Sequence, residues 1–166
     1  MAINEKIAEA FDKQVTAELE ASVIYLQLSY ILDDLGLTGM SNWLKAQSDE
    51  EQTHAQKFAS HLLDRDYVPQ IQEIKAPKLD VKSAEQAFEA AYNHEKQVSA
   101  MIRELAELQI EVNDWDSRPL VDEFLNEQIE EEANVSEILD RIRLTGGEGS
   151  GLLRIDNELK GSHPAA

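Results

Sequence analysis

Cysteine is absent from the 166 residues, which excludes disulfides, thiolate metal sites, iron–sulfur clusters and cysteine nucleophiles. Glycine and proline are scarce, 7 and 4, and they gather at a few places, so long uninterrupted elements are expected between them. Basic residues are outnumbered, 15 against 33 acids, for a formal net charge of -18. That balance speaks against nucleic acid and anionic membranes as partners and favours attraction of cations. No apolar run approaches the ~20 residues that span a bilayer, and "MAINEKIAEAF" has no signal-peptide core. These absences predict a soluble, cytoplasmic, single-domain protein, long enough to bury a real core.

What is present is the helical period, nearly throughout, with no alternating strand pattern. Helices are expected over about 4–34, ending at "DDLGLTG", and over about 38–66. A third, about 83–112, opens with the capping box Ser83-x-x-Gln86. A fourth, about 117–144, takes Asp116 or Ser117 as N-cap and tolerates Pro119 in its first turn. "TGGEGSG" breaks it, and a short fifth helix is expected over about 152–160. The first and third connections are short, so those helix pairs are antiparallel. The middle connection, "YVPQIQEIKAPKLDVK", can span ~50 Å when extended, more than the ~40 Å of a long helix here. The expected fold is all-α: a four-helix bundle with one long crossover plus a short C-terminal fifth helix.

Each long helix interrupts its apolar stripe with a polar residue near its middle. Glu18 lies between Phe11 and Tyr25, and Glu51 with His54 lies between Leu44 and Phe58. Glu95 lies between Ala91 and Val98, and Gln128 with Glu131 lies between Phe124 and Val135. A single glutamate in such a stripe is ordinarily an edge residue whose stem packs while its head reaches water. A lone histidine is ordinarily a surface or satisfied core residue. Four coincidences at similar height, one per helix, weigh toward metal. Four buried carboxylates together repel, and two divalent cations neutralise them, with Glu51 placed to bridge both. Oxygen donors with one imidazole suit iron or manganese, with zinc a competitor. Inward-facing carboxylates of this kind hold di-iron and di-manganese centres in helical bundles.

"EQTH" at 51–54, "HE" at 94–95, "NEQIEEE" at 126–132 and "GEGSGLLRIDNEL" in the tail resemble bacterial non-haem ferritins, over nearly the whole chain. The resemblance implies iron storage and detoxification in a hollow shell of twenty-four subunits. It also implies a ferroxidase centre that oxidises Fe2+ with dioxygen or peroxide. Carried over, Glu18, Glu51 and His54 would hold one iron, and Glu51, Glu95, Gln128 and Glu131 the second. Tyr25 falls where the family has a tyrosine beside the first iron, though it also reads as an ordinary core residue. Glu50, Glu127, Glu130 and Glu131 match a third iron position, though they also read as a solvated acidic face.

The related haem-containing proteins use Glu-x-x-His on the fourth helix and a methionine after the bridging glutamate. Here the corresponding residues are Gln128-x-x-Glu131 and Gln52, so no haem is expected. Nothing resembles a basic DNA-binding tail.

The first helix carries a second apolar face of Val15, Leu19, Val23, Leu26 and Tyr30. Either a partner subunit or the long crossover must cover it. Two other readings remain: a non-catalytic metal-binding shell or scaffold, and a di-metal oxidase acting on an organic substrate.

Overall fold

The computed structural model describes residues 2–164. Its helices are α1 (Glu5–Asp34), α2 (Thr38–Asp64), α3 (Ala84–Glu111), α4 (Arg118–Leu144) and α5 (Gly149–Leu159). No strand occurs among the described residues. The fold is the expected four-helix bundle with a short C-terminal helix.

Two apolar clusters fill the bundle. One holds Ile7, Phe11 and Val15 of α1, Phe58 and Leu62 of α2, Val98 and Ile102 of α3, and Phe124 of α4. The other holds Tyr25 and Leu28, Met40 and Leu44, Phe88 and Ala91, and Val135 and Ile138. Chain direction follows from the order in which each helix crosses them. α1 and α4 run from the first cluster to the second, and α2 and α3 run the opposite way. α2 and α3, consecutive in the chain, are therefore parallel, as the long crossover requires. Between the clusters each of the four long helices contributes polar side chains, and this layer holds the candidate site.

The crossover is tied to α1 by side chains that answer its unpaired backbone groups. Asp12 accepts from the Gln70 amide at 2.8 Å and from the Tyr67 hydroxyl at 2.6 Å. The Thr16 hydroxyl accepts from the Gln72 amide at 2.9 Å. Asp12 and Thr16 are buried for this reason.

Several boundaries differ from the sequence expectation. α2 ends at Asp64 rather than Asp66, because Asp66 takes the left-handed conformation (φ 59°) that closes a helix. α5 begins three residues earlier than expected, since the Glu148 carboxylate accepts from the amides of Ser150 and Gly151, both at 2.9 Å, and caps it. Ser117 precedes α4 but gives no side-chain cap. Its hydroxyl instead donates to Asp114 at 2.6 Å, within a network that Arg65 completes from the end of α2.

α2 has no side-chain cap of its own either. Asp156 of α5 supplies one, accepting from the Met40 amide at 2.7 Å. This docking brings the Asp156 carbonyl so near Gly39 that an added Cβ would lie 1.9 Å from its oxygen. Gly39→Ala is therefore expected to lower stability by ~1–2 kcal/mol even after alanine's better helix propensity is counted. That corresponds to a melting temperature roughly 2–8 °C lower. An unchanged melt would contradict this seating of α5.

Candidate metal centre

Glu18, Glu51, His54, Glu95, Gln128 and Glu131 are each no more than 6% exposed, and all lie in the polar layer. Their ligand atoms fall into groups. Glu18, Glu51 and His54 form one, Glu51, Glu95 and Glu131 a second, and within each the atoms lie within 4.8 Å of one another. Glu51 belongs to both. His54 Nδ1 is 3.1 Å from Glu51 Oε2 and 3.9 Å from Glu18 Oε2. Two donors each ~2.1 Å from one ion lie at most about 4.2 Å apart, so these spacings suit a shared cation. The Glu18 Oε2 atom is buried and has no hydrogen-bond partner among the described residues. An orphaned carboxylate oxygen facing other carboxylates calls for a cation.

Without metal the site carries protons. Burial, together with the charge of Glu51, holds Glu18 well above the usual carboxylate range. The same two causes push Glu95 up to about 8. Burial and the charges of Glu95 and Glu51 push Glu131 up to about 10. Burial alone would also raise Glu51, but hydrogen bonds, His54 foremost, outweigh it and hold Glu51 below its ordinary value. Burial would lower His54, and its carboxylate neighbours, Glu51 first, reverse that. Glu51 is thus the ionised acid at the centre, and its neighbours titrate around it.

The remaining predicted residues divide. The Tyr25 hydroxyl, fully buried, donates to Glu95 Oε1. Gln128 Nε2 donates to Glu95 Oε2 and Ser99 Oγ, both at 3.2 Å. Glu50 and Glu127 form a third group with His54 and Glu131. Glu130 is exposed and falls outside all three groups. Beside the third group a cavity of about 470 Å³ opens to the surface, lined by Asp49, Glu50, His54 and Glu127 among others.

Three residues at the site carry no label in the sequence motifs. Gln14 donates to Glu18 at 2.7 Å. Gln47 donates to Glu51 at 2.9 Å and to Glu131 at 2.7 Å. Each glutamine precedes its glutamate by four residues on one helix face, a spacing that could have revealed it. His163, buried beside Gln47 at 2.7 Å, lies past the last helix and has no such signal.

A family model for the ferritin-like domain matches residues 8–145. The chain is 30% identical over 157 residues to the bacterial non-heme ferritin of Bacteroides fragilis, covering 95% of this chain and 98% of that one. It is 31% identical over 157 residues to a probable bacterial non-heme ferritin-like protein of Haemophilus influenzae, covering 95% of each. Among solved structures, the open-pore ferritin of the archaeon Archaeoglobus fulgidus superposes with a TM-score of 0.93 at 34% identity, covering 95% of this chain and 96% of that one. With a family model spanning most of its length, relatives of this extent and the same arrangement of helices, the chain belongs to the ferritin-like family.

Proposed function

We propose that the polar layer of this bundle is a two-iron ferroxidase centre. The protein stores iron and oxidises Fe2+ as its substrate. Glu18, Glu51 and His54 hold one ferrous ion, and Glu51, Glu95 and Glu131 hold the second, with Gln128 beside it. The observation that carries this is the sharing of Glu51 between two buried ligand groups, one of which includes the orphaned Glu18 oxygen. Each ion gives up one electron. The two electrons reduce dioxygen to peroxide, or peroxide to water, so the pair matches either oxidant. Ionised carboxylates favour Fe3+ over Fe2+ because their attraction grows with the metal's charge. Tyr25 orients Glu95 through its hydrogen bond. Glu50, Glu127 and Glu131, with the exposed Glu130 beside them in sequence, form a third, more exposed iron station.

Phe11, Leu44, Phe58 and Phe88 are fully buried on either side of the layer. Their packing supports Fe2+ itself, rather than an organic molecule, as the substrate. Gln52, where the haem-containing relatives have their haem-ligand methionine, supports a protein that binds no haem. Crystals soaked anaerobically with Fe2+ and measured at the iron edge should show two peaks about 3.5–4 Å apart flanking Glu51. A single peak, or peaks only on the surface, would contradict the reading.

The mineral requires an enclosure, and we place this chain in a cytoplasmic homo-oligomeric shell of twenty-four subunits. On the second face of α1, Val15 is buried, Leu19, Val23 and Leu26 are half-buried, and Tyr30 is 54% exposed. Val68 and Ile71 of the crossover are also exposed. Apolar surface on two neighbouring segments supports burial against another subunit. Light scattering should give a mass of about 450 kDa, twenty-four times the chain's 18.7 kDa. A stable monomer at physiological salt would rule the shell out.

A further inference from the structure

His163 is delivered to the centre by the chain beyond α5. Gly161, in the left-handed region at φ 67°, follows the end of α5, and His163 packs back on α2. Its ring stands 4.9 Å from that of Trp43, its Nε2 is 2.7 Å from Gln47 Oε1, and the same nitrogen is 3.5 Å from Glu50 Oε2. Trp43, Gln47 and Glu50 share one face of α2 by their spacing of four and three. The tail thus packs on the helix that also carries Glu51 and His54.

The hydrogen bonds fix the sense of this contact. An amide oxygen only accepts, so the His163 Nε2 facing it carries the proton and donates. The Gln47 amide is then oriented with its oxygen toward the tail and its NH2 toward the centre. Both NH2 hydrogens are used there, one on Glu51 Oε1 and one on Glu131 Oε2. The reverse orientation would set the amide oxygen against the ionised Glu51 and turn the NH2 toward the proton on His163. Without His163 the glutamine keeps three rotatable bonds and, among the described residues, no anchor on its oxygen.

We propose that His163 is a positioning residue of the metal centre, acting through Gln47 to hold Glu51 and Glu131 in the geometry that receives the two ions. The proposal rests on the reading of those two glutamates as ligands. Its consequence is that the C-terminal tail, anchored through α5 on the start of α2, tunes metal affinity without touching metal.

Cobalt(II), which binds carboxylate and imidazole sites without being oxidised by air on this timescale, tests it on the assembled protein. The readouts are a calorimetric titration and the visible d–d spectrum. His163→Ala should weaken cobalt binding by roughly 10-fold, at the low end for groups that orient metal ligands, with the number of ions per subunit unchanged. His163→Gln places an amide NH2 at the reach of Nε2 and should restore most of the affinity. In a Gln47→Ala background, His163→Ala should add nothing further. Wild-type affinity in His163→Ala would overturn the proposal, as would additive losses in the double variant. Loss of one cobalt per subunit that glutamine fails to restore would overturn it too, making His163 a ligand. Should His163→Ala not assemble, Gln47→Ala and His163→Gln decide: the first must weaken cobalt and the second must not, and any other pattern overturns the proposal. A wild-type protein that binds no cobalt at the buried centre would overturn the two-iron reading itself, and this proposal with it. Normal wild-type binding with insensitive variants overturns only the role of His163.

Discussion

Glu51→Ala is expected to slow the fast phase of ferrous oxidation by about 100-fold or more, whereas Glu130→Ala leaves that phase close to wild type. Glu51 is the one residue common to both buried ligand groups, so its loss strips a donor and a charge from both ions at once. Groups that merely orient a ligand are worth roughly 10–100-fold, and a bridging ligand should exceed them. Glu130 is exposed and outside the groups, so its removal should alter turnover after the first oxidation instead. Folding should survive in both variants. Removing Glu51 relieves Glu18, Glu95 and Glu131 of a charge that raises all three, which offsets the hydrogen bonds lost from His54 and Gln47. The measurement is stopped-flow absorbance after mixing iron-loaded protein with oxygen, alongside melting of the metal-free variants. Equal rates for Glu51→Ala and wild type would remove the chemistry from this site.

The second large effect concerns pH and metal together. In the metal-free protein Glu95 titrates at about 8 and Glu131 at about 10, against ~4.3 for an unfolded glutamate. Between those limits the folded state binds more protons than the unfolded state. Stability from these two groups is therefore fully present below ~4.3 and is lost as pH rises through their folded values. His54, raised mainly by Glu51 against its burial, acts in the same direction. Glu51, held low, acts in the opposite direction, and its window lies at acidic pH.

The metal-free protein should accordingly lose roughly 2–3 kcal/mol per pH unit between pH 6 and 8, about 1.4 for each of the two protons. That corresponds to roughly 4–12 °C of melting temperature per unit. Divalent metal displaces the same protons, so binding tightens over that window and releases protons to the medium. At a free concentration about 100 times Kd, one bound ion adds about 2.7 kcal/mol. Scanning calorimetry with and without zinc should therefore give two curves that diverge as pH rises. Parallel curves would mean that the metal does not bind among Glu95 and Glu131.

Much of the fold and the centre is legible in the amino-acid sequence, for a local reason. Glu18, Glu51, His54, Glu95, Gln128 and Glu131 interrupt apolar stripes whose period is set by the helix itself, so their inward aim follows from spacing. The crossover length and two short turns then leave one arrangement of parallel and antiparallel helices. Gln14 and Gln47 obey the same local rule at i−4 and escape notice only because glutamine is common on helix surfaces. Other features depend on residues far apart in the chain. Asp156 caps α2 across 116 positions, and His163 meets Gln47 across the same separation; no periodicity encodes either. Ser117 has the sequence signature of a cap, but its hydroxyl is claimed by Asp114 three residues back and by Arg65 and His61, which reach it from the end of α2. Glu130 precedes Glu131 by one residue, about 100° around the helix, and so faces solvent although its neighbour faces the core.

Each subunit is expected to oxidise iron in pairs at one buried centre. Metal-free protein is titrated anaerobically with Fe2+, exposed to air, and the iron oxidised in the fast phase is counted per subunit. The predicted result is a break at two irons per subunit, preserved in Glu130→Ala and lost in Glu51→Ala. A break at one iron, or a fast phase of the same size in both variants, would contradict it.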